Sequence, residues 1–213
     1  MKSITFPSHN IDERLLQTAR HYMLHGSFMD NIGLFRGKMG LVLFYFLYSR
    51  YTSNSLYEDF AVELFNEICE DVSFETPIGL RDGLCGIGWG ILFLHKEGFI
   101  DNSPDELLAD IDARIMEYHL LRMKDLSLET GFGGIALYVS ERLSTSTASF
   151  FDDLFIEEFN RKCLEIDWSK PDCALEPILK GMKQYDYKED SCEMYSWQDG
   201  LLKISDYEKV VHY

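Results

Sequence analysis

The chain has 213 residues, 46% of them hydrophobic and 15 of them glycine, which is enough apolar material for one sizeable core or two smaller ones. Its 20 Lys and Arg residues face 36 Asp and Glu residues, a formal net charge of −16. This balance argues against nucleic acid and anionic membrane surfaces as partners, because phosphate binding needs clustered cations. A basic peptide or a neutral ligand is compatible with the charge.

The N-terminal residues 1–9 lack the apolar core of a secretory signal, and no uninterrupted apolar stretch approaches the ~20 residues that a membrane span requires. The five cysteines are an odd number without CxxC or CxxH spacing. This pattern argues against a disulfide framework and against a structural zinc knuckle. We therefore expect a cytoplasmic protein without membrane partners.

Two kinds of helical segment are predicted, and they alternate along the chain. Outer helices, with one apolar stripe at 3.6-residue spacing, are predicted at 11–24, 56–72, 104–123 and 150–164. Inner helices, apolar almost all round, are predicted at 41–51, 87–94 and 135–143. The third outer helix has clear start signals, since Ser103 is a helix N-cap residue and Pro104 suits the first helical position.

Glycine-rich motifs precede the three inner helices and align without gaps at 33–41, 79–87 and 127–135. Gly37, Gly83 and Gly131 are spaced by 46 and then 48 residues, a period typical of a repeated supersecondary unit. Each of them is followed three residues later by a second glycine, and we expect each pair to lie on one helix face where backbones approach closely. The sequence therefore predicts an all-α fold of helical hairpins, arranged either as an open solenoid or as a closed α/α toroid.

The motif Gly79-Leu80-Arg81-Asp82-Gly83-Leu84-Cys85-Gly86-Ile87 resembles the repeat signature of the lanthionine synthetase C-like (LanC-like) proteins. The resemblance covers residues 11–165 and implies an α,α-toroid of inner and outer helices. We assign residues 1–165 to these repeats and residues 166–213 to an irregular or helical C-terminal cap. The family's cyclases add peptide cysteine thiolates to dehydrated residues, which implies a role in peptide modification.

The family's zinc is held by two cysteines and a histidine, with a Cys-His pair directly before a glycine motif. The corresponding positions here hold Phe35-Arg36, Arg81-Asp82 and Glu129-Thr130. We therefore expect no metal site and no cofactor, and we assign Cys85 to packing. His21 and His25 have the i, i+4 spacing of two ligands on one helix face but no obvious third ligand. His95 and His119 are expected in surface or hydrogen-bonding roles. Residues 197–201, which follow Cys192, faintly resemble the glycine motif but do not fit the spacing of the other three motifs.

A complete toroid of this class needs more hairpins than the chain can supply, so we expect about half of a ring. Half of a ring would leave apolar flanks of the inner helices uncovered. We expect a second copy, another protein or the C-terminal segment to cover them.

The function predicted from these features is that of a non-catalytic LanC-like module that binds a peptide or a partner protein in lanthipeptide-type maturation. The residues before the glycines would converge at one ligand-binding rim: Arg36, Arg81, Asp82 and Glu129. An alternative is a glycan-processing α/α-toroid enzyme that uses Asp82 and Glu129 as paired carboxylates, although acids there also suit helix N-termini. Two further alternatives are a thioether cyclase and a purely structural subunit. In each of them a partner protein would complete the ring.

Overall fold

The computed structural model describes residues 13–101, 103–145 and 150–165, and over these ranges the chain is helical, without a strand. None of the helices in these ranges is long and apolar enough to cross a membrane. The α-helices are α1 (Glu13–His25), α2 (Lys38–Thr52), α3 (Ser55–Asp71), α4 (Leu84–Lys96), α5 (Asp105–Met116), α6 (Phe132–Thr145) and α7 (Asp153–Cys163). Two single 3-10 turns cover Gly26–Phe28 and Leu120–Arg122.

The predicted all-α class is confirmed for the described residues, and each predicted helix coincides with one of these seven. The main error is the end of the third outer helix, which was predicted to reach residue 123. Helix α5 ends at Met116, where the amide of Tyr118 turns back to the carbonyl of Ile115. The chain then leaves the helix axis so that Leu120 is fully buried, and the 3-10 turn around it packs against α7.

The inner helices form a row in which α4 packs against both α2 and α6. The outer helix α3 packs along α2, and α5 packs against α4. The all-round apolar character of the inner helices explains their position, because a helix without a polar face is stable only when it is buried on all sides. In α2, every residue from Lys38 to Ser49 is buried.

The apolar faces of α2 and of most of α4 are covered, and the expected cover by a second copy, another protein or the C-terminal segment stays a prediction. Residues 84–92 of α4 are all buried as well. One reason is that α2 is enclosed by α3, by α4 and by α1, whose Ala19 carbonyl accepts a hydrogen bond from the Tyr45 hydroxyl. The most exposed large apolar side chains of the described residues lie elsewhere: Leu164, Phe28, Phe74 and Leu24. The proposed cap at 166–213 lies outside the described residues.

Glycines on α4 let the three inner helices approach closely. A Cβ at Gly88 would lie 2.5 Å from Cε2 of Tyr138 on α6. On the α2 side of the same helix, a Cβ at Gly90 would overlap the terminal methyl of Met39. Both glycines thus provide the space in which a neighbouring inner helix places a large side chain.

Candidate functional site

The three glycine turns lie side by side and are joined by backbone hydrogen bonds at equivalent positions. The amide of Phe35 donates to the carbonyl of Arg81 at 3.0 Å, and the amide of Arg81 donates to the carbonyl of Glu129 at 2.9 Å. These three residues are each the third of their motif, 46 and 48 residues apart. The turns that precede α2, α4 and α6 are therefore brought to one end of the inner row.

Each turn is also closed in the same way. The first helical residue donates its amide to the carbonyl seven residues earlier, in the pairs Lys38 to Asn31, Leu84 to Pro77 and Phe132 to Asp125. That carbonyl occupies the space in which a side chain at Gly37, Gly83 or Gly131 would begin. Glycine is required at these positions because the turn folds back on its own backbone.

The expectation that each glycine pair shares a helix face is wrong, since Gly37 and Gly83 are N-caps in extended conformation outside the helices. The second glycines of the second and third motifs lie close to the neighbouring glycine turn. A Cβ at Gly86 would be 2.9 Å from Cβ of Leu34, and a Cβ at Gly134 would be 2.8 Å from Cβ of Leu80. Each also lies against a carbonyl of its own turn, that of Leu80 for Gly86 and that of Leu128 for Gly134. In both cases the neighbouring atoms belong to turn residues rather than to a helix backbone.

Three of the four predicted rim residues form one connected cluster. The Arg81 guanidinium contacts the Asp82 carboxylate (Nε to Oδ2, 2.5 Å) and the Glu129 carboxylate (Nη1 to Oε2, 3.4 Å). Asn31 joins them, because its Nδ2 donates to Oδ1 of Asp82 at 3.0 Å and its Oδ1 accepts from the amide of Gly33. Arg36, the fourth residue, is exposed on the first turn, where it occupies the position that Asp82 has on the second.

The two carboxylates of this cluster share one guanidinium. The hydrogen bond to Asp82, together with the charges of Asp82 and Glu129, raises the pKa of Arg81. Both carboxylates thus share a single cationic partner, an arrangement that suits a structural or binding role. The three side chains are between 24% and 32% exposed, so the cluster stays accessible at the surface.

A cleft of about 710 Å³ opens beside this cluster, and sequence reasoning did not predict it. It lies between residues 27–32 and a second segment made of Ser73 and residues 75–77, with Lys38 and Asp82 also in its wall. Four carboxylates line it: Asp30, Asp71, Glu75 and Asp82. The available signal was a longer repeat, because Ser27-Phe28 and Ser73-Phe74 are also 46 residues apart.

Lys38 is the one cation among the residues described as lining this cleft, and two acids pair with it. Its Nζ lies 2.9 Å from Oε2 of Glu67 and 3.1 Å from Oδ2 of Asp71. Burial lowers the pKa of Lys38, but the hydrogen bonds and charges of Glu67 and Asp71 outweigh it and raise the pKa. The cleft therefore remains predominantly acidic.

No family model, no curated protein and no solved structure matches this chain. The resemblance to LanC-like proteins thus rests on the glycine motifs and their spacing. The geometry of the turns and of the cleft is the basis on which a function can be argued.

His21 and His25, the predicted i, i+4 pair, both lie on α1. The His21 and His25 rings stack at 4.4 Å between centroids, and Nδ1 of His25 is bonded to the carbonyl of His21. No group of three His, Cys, Asp or Glu side chains in the described ranges is arranged to hold a metal ion. Cys85 is fully buried, which raises the pKa of its thiol.

The other two predicted histidines differ in environment. His95 is half-buried, with Nδ1 3.0 Å from the carbonyl of Ile100, and His119 is exposed directly before the second 3-10 turn. Cys192 and 197–201 lie outside the described residues.

Proposed function

We propose that the chain is a LanC-like module of helical-hairpin repeats, corresponding to about half of an α,α-toroid, that binds a peptide or a partner protein in a peptide-modification pathway. The equivalent hydrogen bonds that join Phe35 to Arg81 and Arg81 to Glu129 support the repeat assignment. The same register appears in the contacts of Gly86 with Leu34 and of Gly134 with Leu80. A repeated unit that stacks in one register is the property on which solenoids and toroids are built.

The observation that carries the binding role is the acidic cleft at the end of the row where the turns meet. Its volume is about 710 Å³, within the range of small-ligand sites, and it is lined by Asp30, Asp71, Glu75 and Asp82. A surface of this charge attracts cationic groups and repels anionic ones. A cationic segment of a peptide is the partner that the cleft fits best.

The contacts of the cluster favour binding over the glycan-processing alternative. A glycosidase needs two carboxyl groups that face the scissile bond of a bound sugar. Asp82 and Glu129 are instead both paired with Arg81. We therefore propose that the cluster fixes the second and third turns relative to one another and forms the wall of the cleft.

The test uses the purified full chain and a randomised peptide library displayed on beads. We expect saturable binding of selected peptides that are enriched in Lys and Arg. The double variant Asp82→Asn, Glu129→Gln should weaken their binding at least severalfold, because it leaves Arg81 as an uncompensated positive charge beside the cleft.

A matched control removes two exposed acids from α3, in Asp59→Asn, Glu63→Gln, and so makes the same change in net charge. It should leave the affinity nearly unchanged. Equal losses of affinity in both double variants would show that peptide binding depends only on the net charge of the chain. The absence of saturable binding by any peptide would contradict the proposed function.

A further inference from the structure

The repeat extends upstream of the glycine turns. Phe28 and Phe74 each lie five residues before the first glycine of their motif, and each follows a serine. The corresponding residue of the third motif is Arg122, 48 residues after Phe74. Phe28 and Phe74 thus occupy equivalent positions, and their surroundings can be compared directly.

The Phe74 ring makes a cation–π contact with an arginine of the same chain. The guanidinium carbon of Arg114, on α5, lies 4.2 Å from the centroid of the Phe74 ring. Nη2 of Arg114 donates to the carbonyl of Phe74 at 3.0 Å, which fixes the guanidinium over the ring. The quadrupole of an aromatic ring attracts a cation placed over its face.

Phe28 has the same place in the first repeat but carries no such cation among the described residues. Its side chain is 83% exposed and lies in the wall of the acidic cleft. Helix α3, the outer helix that corresponds to α5, contains no Lys or Arg. In its last two turns it supplies carboxylates instead, since Glu67 and Asp71 pair with Lys38.

We infer that the cleft binds an arginine side chain of a peptide partner, with the guanidinium over the Phe28 ring in the place that Arg114 takes over Phe74. The carboxylates of Asp30, Asp71, Glu75 and Asp82 line the same cleft and supply acceptors for its N–H groups. Arginine fits better than lysine, because a planar guanidinium stacks on a ring and bonds carboxylates at once. This inference rests on the proposed function, and it specifies the chemistry that the peptide must present.

The experiment measures fluorescence anisotropy of a fluorescein-labelled Gly/Ser peptide that carries arginine at two positions, titrated with the full chain. Peptides with citrulline or lysine at the same positions are the comparison probes. Phe28→Leu keeps an apolar side chain but removes the ring, and Phe74→Leu is the matched control at the equivalent position. Asp30→Asn, Glu75→Gln tests the carboxylates.

We expect the arginine peptide to bind more tightly than the citrulline and lysine peptides. Phe28→Leu should weaken binding of the arginine peptide about two- to fivefold. Asp30→Asn, Glu75→Gln should weaken it further and flatten the dependence of affinity on salt, because fewer charges remain to be screened. Phe74→Leu should leave the affinity unchanged. Unchanged affinity in Phe28→Leu, an equal loss in Phe74→Leu, or equal binding of the citrulline or lysine peptide would overturn the inference.

The outcome is separable from that of the proposed function. If library-selected peptides bind the chain but are insensitive to Phe28→Leu, the arginine site is wrong and the binding module stands. If neither the selected peptides nor the arginine peptide binds, both proposals fail.

Discussion

The amide of Arg81 donates to the carbonyl of Glu129 across 48 residues of sequence, at 2.9 Å, and the amide of Phe35 makes the same bond to Arg81 itself. Because these bonds use only backbone atoms, they hold whatever side chains the turns carry. An aromatic, a basic and an acidic residue can therefore occupy equivalent positions without disturbing the stack. The side chains at this end of the row are free to vary with function.

Stacking of the turns depends on Gly33, and its replacement by alanine should destabilise the fold. A Cβ at Gly33 would lie 2.7 Å from the carbonyl oxygen of Arg81 and nearer still to Cα of Asp82. These are backbone atoms, so the first two turns would have to separate. We expect Gly33→Ala to lower the free energy of unfolding by about 1–3 kcal/mol in urea denaturation followed by circular dichroism.

The control for this change is Gly98→Asn. Gly98 has a φ of +75° and open space around it, and asparagine tolerates the left-handed region better than other residues. The free energy of unfolding of this variant should fall by less than about 1 kcal/mol. A Gly33→Ala protein as stable as the native one would show that the turns are not held in close contact.

The two glycines of α4 should differ in how they tolerate alanine. At Gly88 the new methyl group would meet the ring of Tyr138, whose hydroxyl is held by Asp112 at 2.6 Å. At Gly90 it would meet Met39, an unbranched side chain that can change rotamer. Gly88→Ala should therefore cost about 1–3 kcal/mol, and Gly90→Ala should stay within about 1 kcal/mol of the native stability. Equal melting temperatures for the two variants would contradict this assignment of the contacts.

The helices could be predicted from sequence because their signals are local. The apolar run of α2 and the period of the glycine motifs are both visible without tertiary information, and α2 is buried as its composition predicts. The end of α5 was not predictable in this way. It depends on the turn around Leu120 packing against α7, which begins at Asp153, and that distant contact overrides the helical periodicity.

The candidate site was predictable only in part, because some of its contacts join segments that are distant in sequence. The glycine register indicated that Arg36, Arg81, Asp82 and Glu129 would converge. The last three form one cluster, whereas Arg36 is exposed on the first turn. The participation of Asn31 and the cleft beside it depend on how the loop 73–77 lies against residues 27–32. The repeated Ser-Phe pair marked both segments, but its meaning appears only when Arg114 is seen over one ring and nothing comparable over the other among the described residues.

A buried charge network between α5 and α6 should make Arg142 a sensitive position. Arg142 is fully buried, and it contacts Asp112 (3.0 Å) and Asp105 (2.7 Å), while Asp112 also accepts from the Tyr138 hydroxyl. Arg142→Met leaves the Asp112 carboxylate buried without its ion pair. We expect a loss of about 3–5 kcal/mol in unfolding free energy.

The double variant Asp112→Asn, Arg142→Met should recover part of this loss. The amide is neutral and still accepts the Tyr138 hydroxyl, so no isolated charge remains in the core. A double variant less stable than Arg142→Met alone, measured in the same urea titrations, would show that the charge of Asp112 is not the source of the penalty.

The third glycine turn should weaken in acid, and Asp125 should be responsible. Its carboxylate accepts hydrogen bonds from the amide of Ser127 (2.9 Å) and the hydroxyl of Thr130 (2.7 Å), and these bonds lower its pKa. A carboxyl group whose pKa is lower in the folded state than in the unfolded chain stabilises the fold above the unfolded value of about 4, and this contribution is lost as the pH falls through the folded value. Asp125→Asn should therefore lose less stability than the native chain when the pH falls from about 5 to about 3. The measurement is the urea midpoint at each pH, and parallel pH profiles for the two proteins would contradict the role given to Asp125.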